Sequence, residues 1–122
     1  MQPILDESQP IFRQIAQIIS NGVVEGIFKE GEKVPSENEL SRFYNINRAT
    51  VRKGLESLVD GNIIYKQRGI GMFVRVGAKA QLINDRQKQY RDEYVIPLLA
   101  EAKRLDIGVE DVIKMIKEGE II

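Results

Sequence analysis

Cysteine and histidine are both absent from this chain of 122 residues. Without cysteine, the chain has neither disulfide bonds nor thiolate ligands for zinc. Without histidine, it lacks the commonest general base and an imidazole ligand for a metal. Neighbouring acidic residues such as Asp92 and Glu93 fit a helix surface better than a catalytic site. We therefore expect no catalytic residues, no metal site and no cofactor.

Long apolar runs are also missing. No stretch approaches the roughly 20 apolar residues that a bilayer-spanning helix requires, and the first residues lack the basic start and apolar stretch of a secretory signal. Apolar residues make up 43% of the chain and charged residues 30%, a balance that is typical of a folded globular protein. We expect a cytoplasmic protein, not bound to a membrane, with about one domain and a small appendage.

Neither sign of charge is in excess, because 18 basic residues balance 18 acidic ones. The sum hides an uneven distribution along the chain. Residues 1–41 hold three basic and seven acidic side chains, whereas residues 42–76 hold seven basic and two acidic ones. Positive charge gathered in one segment can meet a phosphate backbone even when the total is zero. The middle of the chain is therefore the candidate for contact with nucleic acid.

Apolar spacing and capping residues predict two helices in the first part of the chain. Residues 10–25 have apolar side chains at helical intervals. A second helix opens at Ser36, where Glu39 three positions later completes a capping box. We expect Leu40 and Phe43 to form the inner face of this short helix.

A third helix follows after a tight turn. Asn45 suits the turn because asparagine tolerates a left-handed backbone, and Asn47 is a good N-cap. Val51, Leu55 and Leu58 recur on one side of the helix and predict its buried face. The other side is left for contact with a partner.

Two short β-prone runs follow the third helix. Residues 63–67 and 72–76 flank a turn that contains two glycines, a pattern that predicts a hairpin. Three helices and a hairpin are the outline of a winged helix-turn-helix. We therefore predict an α+β protein, with this domain in residues 1–77.

Helical spacing returns in residues 78–122, which we predict to be a two-helix dimerisation tail. The first helix is expected to begin at Asn84 and to kink or break near Pro97, and the second to begin at Gly108. Two amphipathic helices of this size cannot form a core alone, so they need a partner surface. The alternative is that they pack on their own winged domain. The apolar positions expected in the dimer interface are Val95, Leu98, Leu99, Ala102, Leu105, Val112, Ile113 and Ile116.

Two arginines on the third helix are the main candidates for DNA contact. Arg48 and Arg52 lie four residues apart and leave the helix together, away from its buried face. Arginine can grip a phosphate or read guanine edges, and asparagine and threonine can contact bases or phosphates. In the wing, Arg68 adds positive charge and Gly69 lets the backbone approach a phosphate or the minor groove. From the residues alone, the candidates are Asn47, Arg48, Ala49, Thr50, Arg52, Lys53, Arg68 and Gly69.

Two other interpretations of these residues stay open. Arg48 and Arg52 would form a solvated helix face with local ion pairs, for instance between Arg52 and Glu56. The winged domain would, as a second alternative, bind protein without binding DNA. An apolar or acidic recognition face would favour that function, whereas Lys53 and the two arginines favour DNA.

Three motifs together resemble the GntR family of bacterial regulators. They are KVPSENEL at residues 33–40, NRATVR at residues 47–52 and the wing RGIGMFV at residues 68–74. The resemblance covers about residues 9–74 and implies a winged helix-turn-helix that binds DNA.

The resemblance also implies particular DNA contacts. Family members use the arginines that match Arg48 and Arg52, the hydroxyl that matches Thr50 and the wing glycine that matches Gly69. In some members the start of the second helix touches DNA at the position of Asn38, where arginine is frequent. This difference bears on the sequence of the operator.

Residues 78–122 are too few for the large effector domain that most members of that family carry. They resemble the two-helix ending of the short YtrA-type subfamily, which serves dimerisation. The sequence therefore predicts a sequence-specific transcription regulator, with repression as the favoured mode, that binds a palindromic double-stranded DNA operator as a homodimer. No residue cluster indicates a small-molecule effector.

Overall fold

The structure, a computed structural model, describes residues 5–119. The predicted α+β class is confirmed, since three helices and a two-stranded antiparallel hairpin form a winged helix-turn-helix and further helices follow it. The chain divides into two compact units, the first ending at Asn84 and the second beginning at Asp85. The elements are α1 (Ile11–Val24), α2 (Glu37–Tyr44), α3 (Arg48–Asp60), β1 (Ile64–Gln67), β2 (Gly71–Val74), α4 (Ala78–Tyr90), a π-helical turn (Arg91–Val95), α5 (Ile96–Arg104) and α6 (Val109–Gly119).

The core of the first unit lies where α1 packs against α3. Gly54 allows the close approach of these helices, because a Cβ at this position would stand 2.6 Å from the carbonyl oxygen of Phe12. Burial of one side of α3 fixes the direction in which its other side faces. The buried apolar side chains of this core are Ile15, Ile19, Val23, Val34, Leu40, Val51, Leu55, Leu58, Ile63, Ile64, Val74 and Ala78.

Side-chain caps define where α2 and α3 begin. The Ser36 hydroxyl accepts a hydrogen bond from the Glu39 N–H at 3.0 Å, and the Glu39 carboxylate accepts one from the Ser36 N–H at 3.2 Å. The predicted capping box is therefore confirmed. Asn47 also caps α3 as predicted, because its Oδ1 accepts from the Ala49 N–H at 2.7 Å. Local chemistry alone places both helix starts.

The turn between α2 and α3 depends on Asn45, which has φ 53° and ψ 53°. A side chain that branches at Cβ fits this left-handed conformation poorly. We expect Asn45→Val to lower the free energy of unfolding by about 1–2 kcal/mol. Asn45→Gly is the matched control and should change it by less than about 1 kcal/mol, since glycine adopts this conformation readily. Urea unfolding measures both variants, and equal losses would contradict a backbone origin.

The inner face of α2 differs from the prediction at Phe43. Leu40 is fully buried, but Phe43 is 56% exposed, so its assignment to the inner face is wrong. Tyr44 takes that place: it follows Leu40 by four residues and packs against the core. The Phe43 ring lies edge-on to Tyr44, with their centroids 4.8 Å apart. On so short a helix, positions three and four residues after Leu40 compete for the same face.

The hairpin forms the predicted wing. β1 and β2 pair antiparallel, with Gln67 opposite Gly71. The Ile70 N–H donates to the Gln67 carbonyl at 3.0 Å, and Gly69 has a φ of 78°, a value that favours glycine. Lys33, from the segment before α2, makes an additional bridge to Phe73. The wing is thereby attached to the domain that carries α3.

The first helix of the tail begins earlier than predicted. Asn84 does not begin a helix, because α4 starts at Ala78 and Asn84 lies inside it. The Ala78 side chain is buried in the core of the first unit, and the Gln81 side chain donates to the Gly61 carbonyl at 2.9 Å. These contacts join the first turns of α4 to the first unit, which ends at Asn84.

Pro97 disturbs the helix as predicted. The residues just before it, Arg91–Val95, form a π-helical turn, in which the Ile96 N–H donates to the carbonyl of Arg91, five residues earlier. Proline has no N–H to donate, and its ring collides with the carbonyl of the residue four positions earlier in a regular α-helix. The wider π turn accommodates the ring without ending the helix.

Candidate nucleic-acid interface

One side of α3 is held in the core, and the opposite side is open. Val51, Leu55 and Leu58 are buried, as predicted. The exposed residues of this helix include Arg48, Ala49, Arg52, Lys53 and Glu56. The open side therefore begins at the first residue of α3 and continues for more than two turns.

Arg48 and Arg52 converge on a single carboxylate from α2. Arg48 Nε lies 3.2 Å from Glu37 Oε1, and Arg52 Nη2 lies 2.8 Å from the same oxygen. Arg52 Nε also donates to Glu37 Oε2 at 3.0 Å, so this pair is bidentate. The arginine side chains stay 62% and 52% exposed, whereas that of Glu37 is only 20% exposed. The cluster thus presents guanidinium groups outward with the carboxylate behind them.

Glu37 and Arg52 each stabilise the charged form of the other. The hydrogen bond from Arg52 is the main cause that holds the pKa of Glu37 below its ordinary value, and the charges of both arginines act in the same direction. The same hydrogen bond raises the pKa of Arg52. The Glu37 carboxylate is ionised at neutral pH, and because its pKa is lowered, the cluster persists until the pH falls through that lowered value.

The other predicted residues of α2 and α3 lie close to this cluster in the chain. Asn38, the second residue of α2, is exposed. Asn47 is exposed and uses its Oδ1 to cap α3. Ala49 is exposed and Thr50 is half-buried. These four residues and the two arginines are all brought to the N-terminal turns of α2 and α3.

Lys53 is directed toward α1. Its Nζ lies 4.1 Å from the centroid of the Phe12 ring, a distance at which a cation–π interaction contributes about 0.5–1 kcal/mol at an exposed site. Arg48 and Arg52 are instead joined to Glu37 on α2. Lys53 therefore occupies a different edge of α3 from the arginines, and the helix carries positive charge on both edges.

The two wing candidates lie on another element. Arg68 and Gly69 are exposed in the turn between β1 and β2. Ile70, beside them, is also exposed. The turn thus presents a cation and a backbone without side-chain cover, which are the groups that contact a phosphate chain.

Sequence reasoning missed the ion pairs that Glu37 makes with Arg48 and Arg52. Its position in the capping-box motif was evident, but the ion pair considered for Arg52 was a local one with Glu56, and the structure pairs Arg52 with Glu37 instead. Only the packing of α2 on α3 brings that carboxylate to the arginines. The available signal was an acidic residue in the first turn of α2 facing a helix with two adjacent cations.

The second unit contains the residues predicted for dimerisation. Ala102 and Val112 are buried, so they serve the packing of α5 and α6 themselves. The remaining predicted positions are exposed: Val95, Leu98, Leu99, Leu105, Ile113 and Ile116. A groove of about 380 Å³ is lined by Leu98, Glu101, Ala102, Leu105, Ile107, Val112, Met115 and Ile116. The groove of the second unit is therefore lined almost entirely by apolar side chains.

Further exposed apolar residues in the second unit were not predicted. They are Tyr90, Tyr94, Ile96, Val109 and Met115. Isolated apolar side chains are common on protein surfaces, whereas a contiguous exposed apolar patch is typical of interaction surfaces. Within residues 5–119, no helix is long and apolar enough to cross a membrane.

Comparison with known proteins identifies the family to which the chain is similar. The model of the family described as "Bacterial regulatory proteins, gntR family" matches residues 12–74. The HTH-type transcriptional repressor YtrA of Bacillus subtilis (strain 168) is 31% identical over 111 residues, which cover 91% of this chain and 85% of that protein. Three further curated relatives, among them the HTH-type transcriptional regulator YurK of Bacillus subtilis (strain 168) at 40% identity, match over 67 or 68 residues, and the chain spans only 28% of their length.

Solved structures agree with the sequence matches. A GntR family transcriptional regulator from Listeria monocytogenes superposes with a TM-score of 0.77 at 30% identity, covering 93% of this chain and 98% of that one. The DNA-binding domain of AraR in complex with operator ORE1 superposes with a TM-score of 0.53 at 32% identity, covering 61% of this chain and 93% of that one. The predicted resemblance is confirmed: the chain belongs to the gntR family of bacterial regulatory proteins.

Proposed function

We propose that this chain is a homodimeric transcription repressor whose α3 enters the major groove of a two-fold symmetric DNA operator. The observation that carries the proposal is the exposed cationic edge of α3, where Arg48 and Arg52 are held side by side. The structure of the AraR domain is that of a complex with an operator, and YtrA is named as a repressor. Both support the assignment of DNA as the partner.

The exposed groups divide into readers of sequence and contacts to the backbone. Arginine binds the guanine edge in a bidentate manner, and alanine leaves room for a thymine methyl group. Arg48, Arg52 and Ala49 are therefore the residues that we assign to bases. Asn38, Asn47, Thr50 and Lys53, together with Arg68 and Gly69 of the wing, are assigned to phosphates, which fix the register but carry no sequence information.

The tail supplies the second half of the proposal. A recognition helix reads only half of a symmetric site, and a symmetric dimer reads both halves. The exposed apolar surface of α5 and α6 needs cover, and its groove is lined by apolar side chains apart from Glu101. A second copy of the chain provides an equally apolar surface, so we assign this surface to the dimer interface.

Selection from a random pool of DNA duplexes tests the proposed function. The purified chain is bound to the pool at about 0.15 M salt, a concentration at which nonspecific binding is weak. We expect the retained sequences to share a motif made of two inverted half-sites. Retention of duplexes without any shared motif would contradict the proposal.

Arg68 offers a prediction on the wing. If its guanidinium contacts a phosphate, Arg68→Ala should weaken binding to every duplex by a similar factor and reduce the slope of log affinity against log salt concentration by about 1. Lys103→Ala is the control, because it removes a positive charge from the exposed end of α5. Titration of one duplex at several salt concentrations measures the slope. An unchanged slope for the Arg68 variant would mean that Arg68 of the wing does not contact a phosphate.

A further inference from the structure

The carboxylate of Glu37 stands between the two arginines that are proposed to read DNA. Its Oε1 accepts from both Arg48 and Arg52, and its Oε2 accepts from Arg52 alone. An acidic group at such a place is unexpected on a surface that meets phosphates, because it repels them. Its hydrogen bonds, however, hold both arginine side chains in defined positions.

We infer that Glu37 is a positioning residue for sequence readout, which orients Arg48 and Arg52 before DNA arrives and lowers their attraction to phosphates of any sequence. The inference rests on the proposed function. According to this inference, Glu37 raises the ratio of affinity for the operator to affinity for unrelated DNA. It does not raise affinity for DNA in general.

The geometry supports orientation of the arginines. The cluster engages only Nε of Arg48, so both terminal nitrogens of that guanidinium stay outside these contacts. Arg52 is gripped through Nε and Nη2, which fixes the plane of its guanidinium. A long side chain that is already ordered loses less conformational freedom when it binds, and this favours the one duplex whose base edges match its position.

The charges support the second part of the inference. Two guanidinium groups and one carboxylate carry a net charge of +1, so the cluster draws fewer phosphates than two arginines alone. The Glu37 carboxylate is ionised at neutral pH, as an ordinary glutamate is, and its lowered pKa extends this ionisation to more acidic solutions. Affinity for unrelated DNA is therefore reduced, whereas base contacts that require oriented arginines are retained.

Three variants of the full chain separate orientation from charge. Glu37→Asp keeps the charge but withdraws the carboxylate by one methylene. Glu37→Gln removes the charge and nearly keeps the shape. Glu56→Gln removes one negative charge from the exposed side of α3 and leaves the cluster intact. Each is titrated with the duplex selected by the wild type and with a scrambled duplex of equal length and composition, at several salt concentrations.

We expect Glu37→Asp to keep the salt slope while the ratio of the two affinities falls about tenfold, the loss of one good arginine contact to a base. Glu37→Gln should bind the scrambled duplex more tightly, with a slope steeper by about 1, and lose the ratio as well. Glu56→Gln should keep the ratio within about threefold. Urea unfolding of each variant verifies that the fold is retained.

Two results would overturn the inference. If Glu37→Asp keeps the full ratio of operator affinity to scrambled-duplex affinity, orientation by Glu37 has no part in readout. If Glu37→Gln and Glu56→Gln lower the ratio of the two affinities equally, the loss of one negative charge explains the change, and the position of the Glu37 carboxylate does not matter. Failure of the proposed function is distinguishable from both, because the wild-type chain would then not separate the selected duplex from the scrambled one.

Discussion

Replacing Arg48 and Arg52 together by alanine should lower affinity for the selected duplex by about 100-fold or more. Each bidentate contact between an arginine and a base is worth about 1–3 kcal/mol, and about 1.4 kcal/mol corresponds to a tenfold change. The protein itself should remain folded, since both side chains are more than half exposed and exposed ion pairs contribute little to stability. Fluorescence anisotropy of labelled duplex at fixed salt measures the change.

The control for the double variant is Arg104→Ala, which removes an exposed arginine from the end of α5. Its affinity should stay within about threefold of the wild type, because a charge outside the interface acts only through the screened field. The single variants should each lose part of the affinity. A double variant that binds the selected duplex as well as the wild type does would remove α3 from the interface and favour a winged domain that binds protein.

Polar substitution of the tail is expected to separate the dimer. Leu98 and Ile116 line the groove of the second unit and are 46% and 54% exposed, so the single chain should tolerate Leu98→Gln with Ile116→Gln. In the dimer, both amides would be buried without designed partners, at a cost of about 1–3 kcal/mol each. Sedimentation equilibrium should therefore show a monomer at concentrations where the wild type is a dimer.

The same double variant should bind the operator about 10²–10⁴-fold more weakly, because two linked half-site contacts gain affinity from each other. Its salt-dependent binding to a single half-site should be unchanged, since α3 and the wing are intact. Ile27→Gln is the matched control, as Ile27 is also exposed but belongs to the first unit. A wild-type chain that sediments as a monomer would contradict the assignment of the tail to dimerisation.

Most of the winged domain could be predicted because its signals are local. Ser36 and Glu39 cap each other across three residues, and Asn47 caps α3 from the position just before it. Asn45 adopts the left-handed conformation that the turn demands. Each of these features depends on neighbouring residues alone, so the sequence contains the whole cause.

The wrong predictions concern features that depend on tertiary packing, such as which residue is buried and where a helix begins. Phe43 and Tyr44 are both suitable partners for Leu40 on a short helix, and only the position of the rest of the domain selects Tyr44. Ala78 is small enough to pack into the core, and this extends the first unit into α4. Asn84 offers a capping side chain, but the helix has already begun before it.

The candidate site shows the same division. The arginines of α3 could be found from their spacing, because residues four apart share a helix face. The role of Glu37 could not, because the carboxylate reaches them only when α2 crosses α3. Long-range pairing of charges therefore has to be taken from the structure.

Methylation of guanine N7 by dimethyl sulfate tests the central claim most directly, because N7 lies in the major groove. The selected duplex is treated with and without saturating protein, using the wild type and the Arg48→Ala, Arg52→Ala double variant. The cationic edge of α3 should shield guanines at symmetric positions in both half-sites, and the double variant should leave the same guanines reactive at concentrations where it still holds the duplex. Full methylation beneath bound wild-type protein would contradict entry of α3 into the groove.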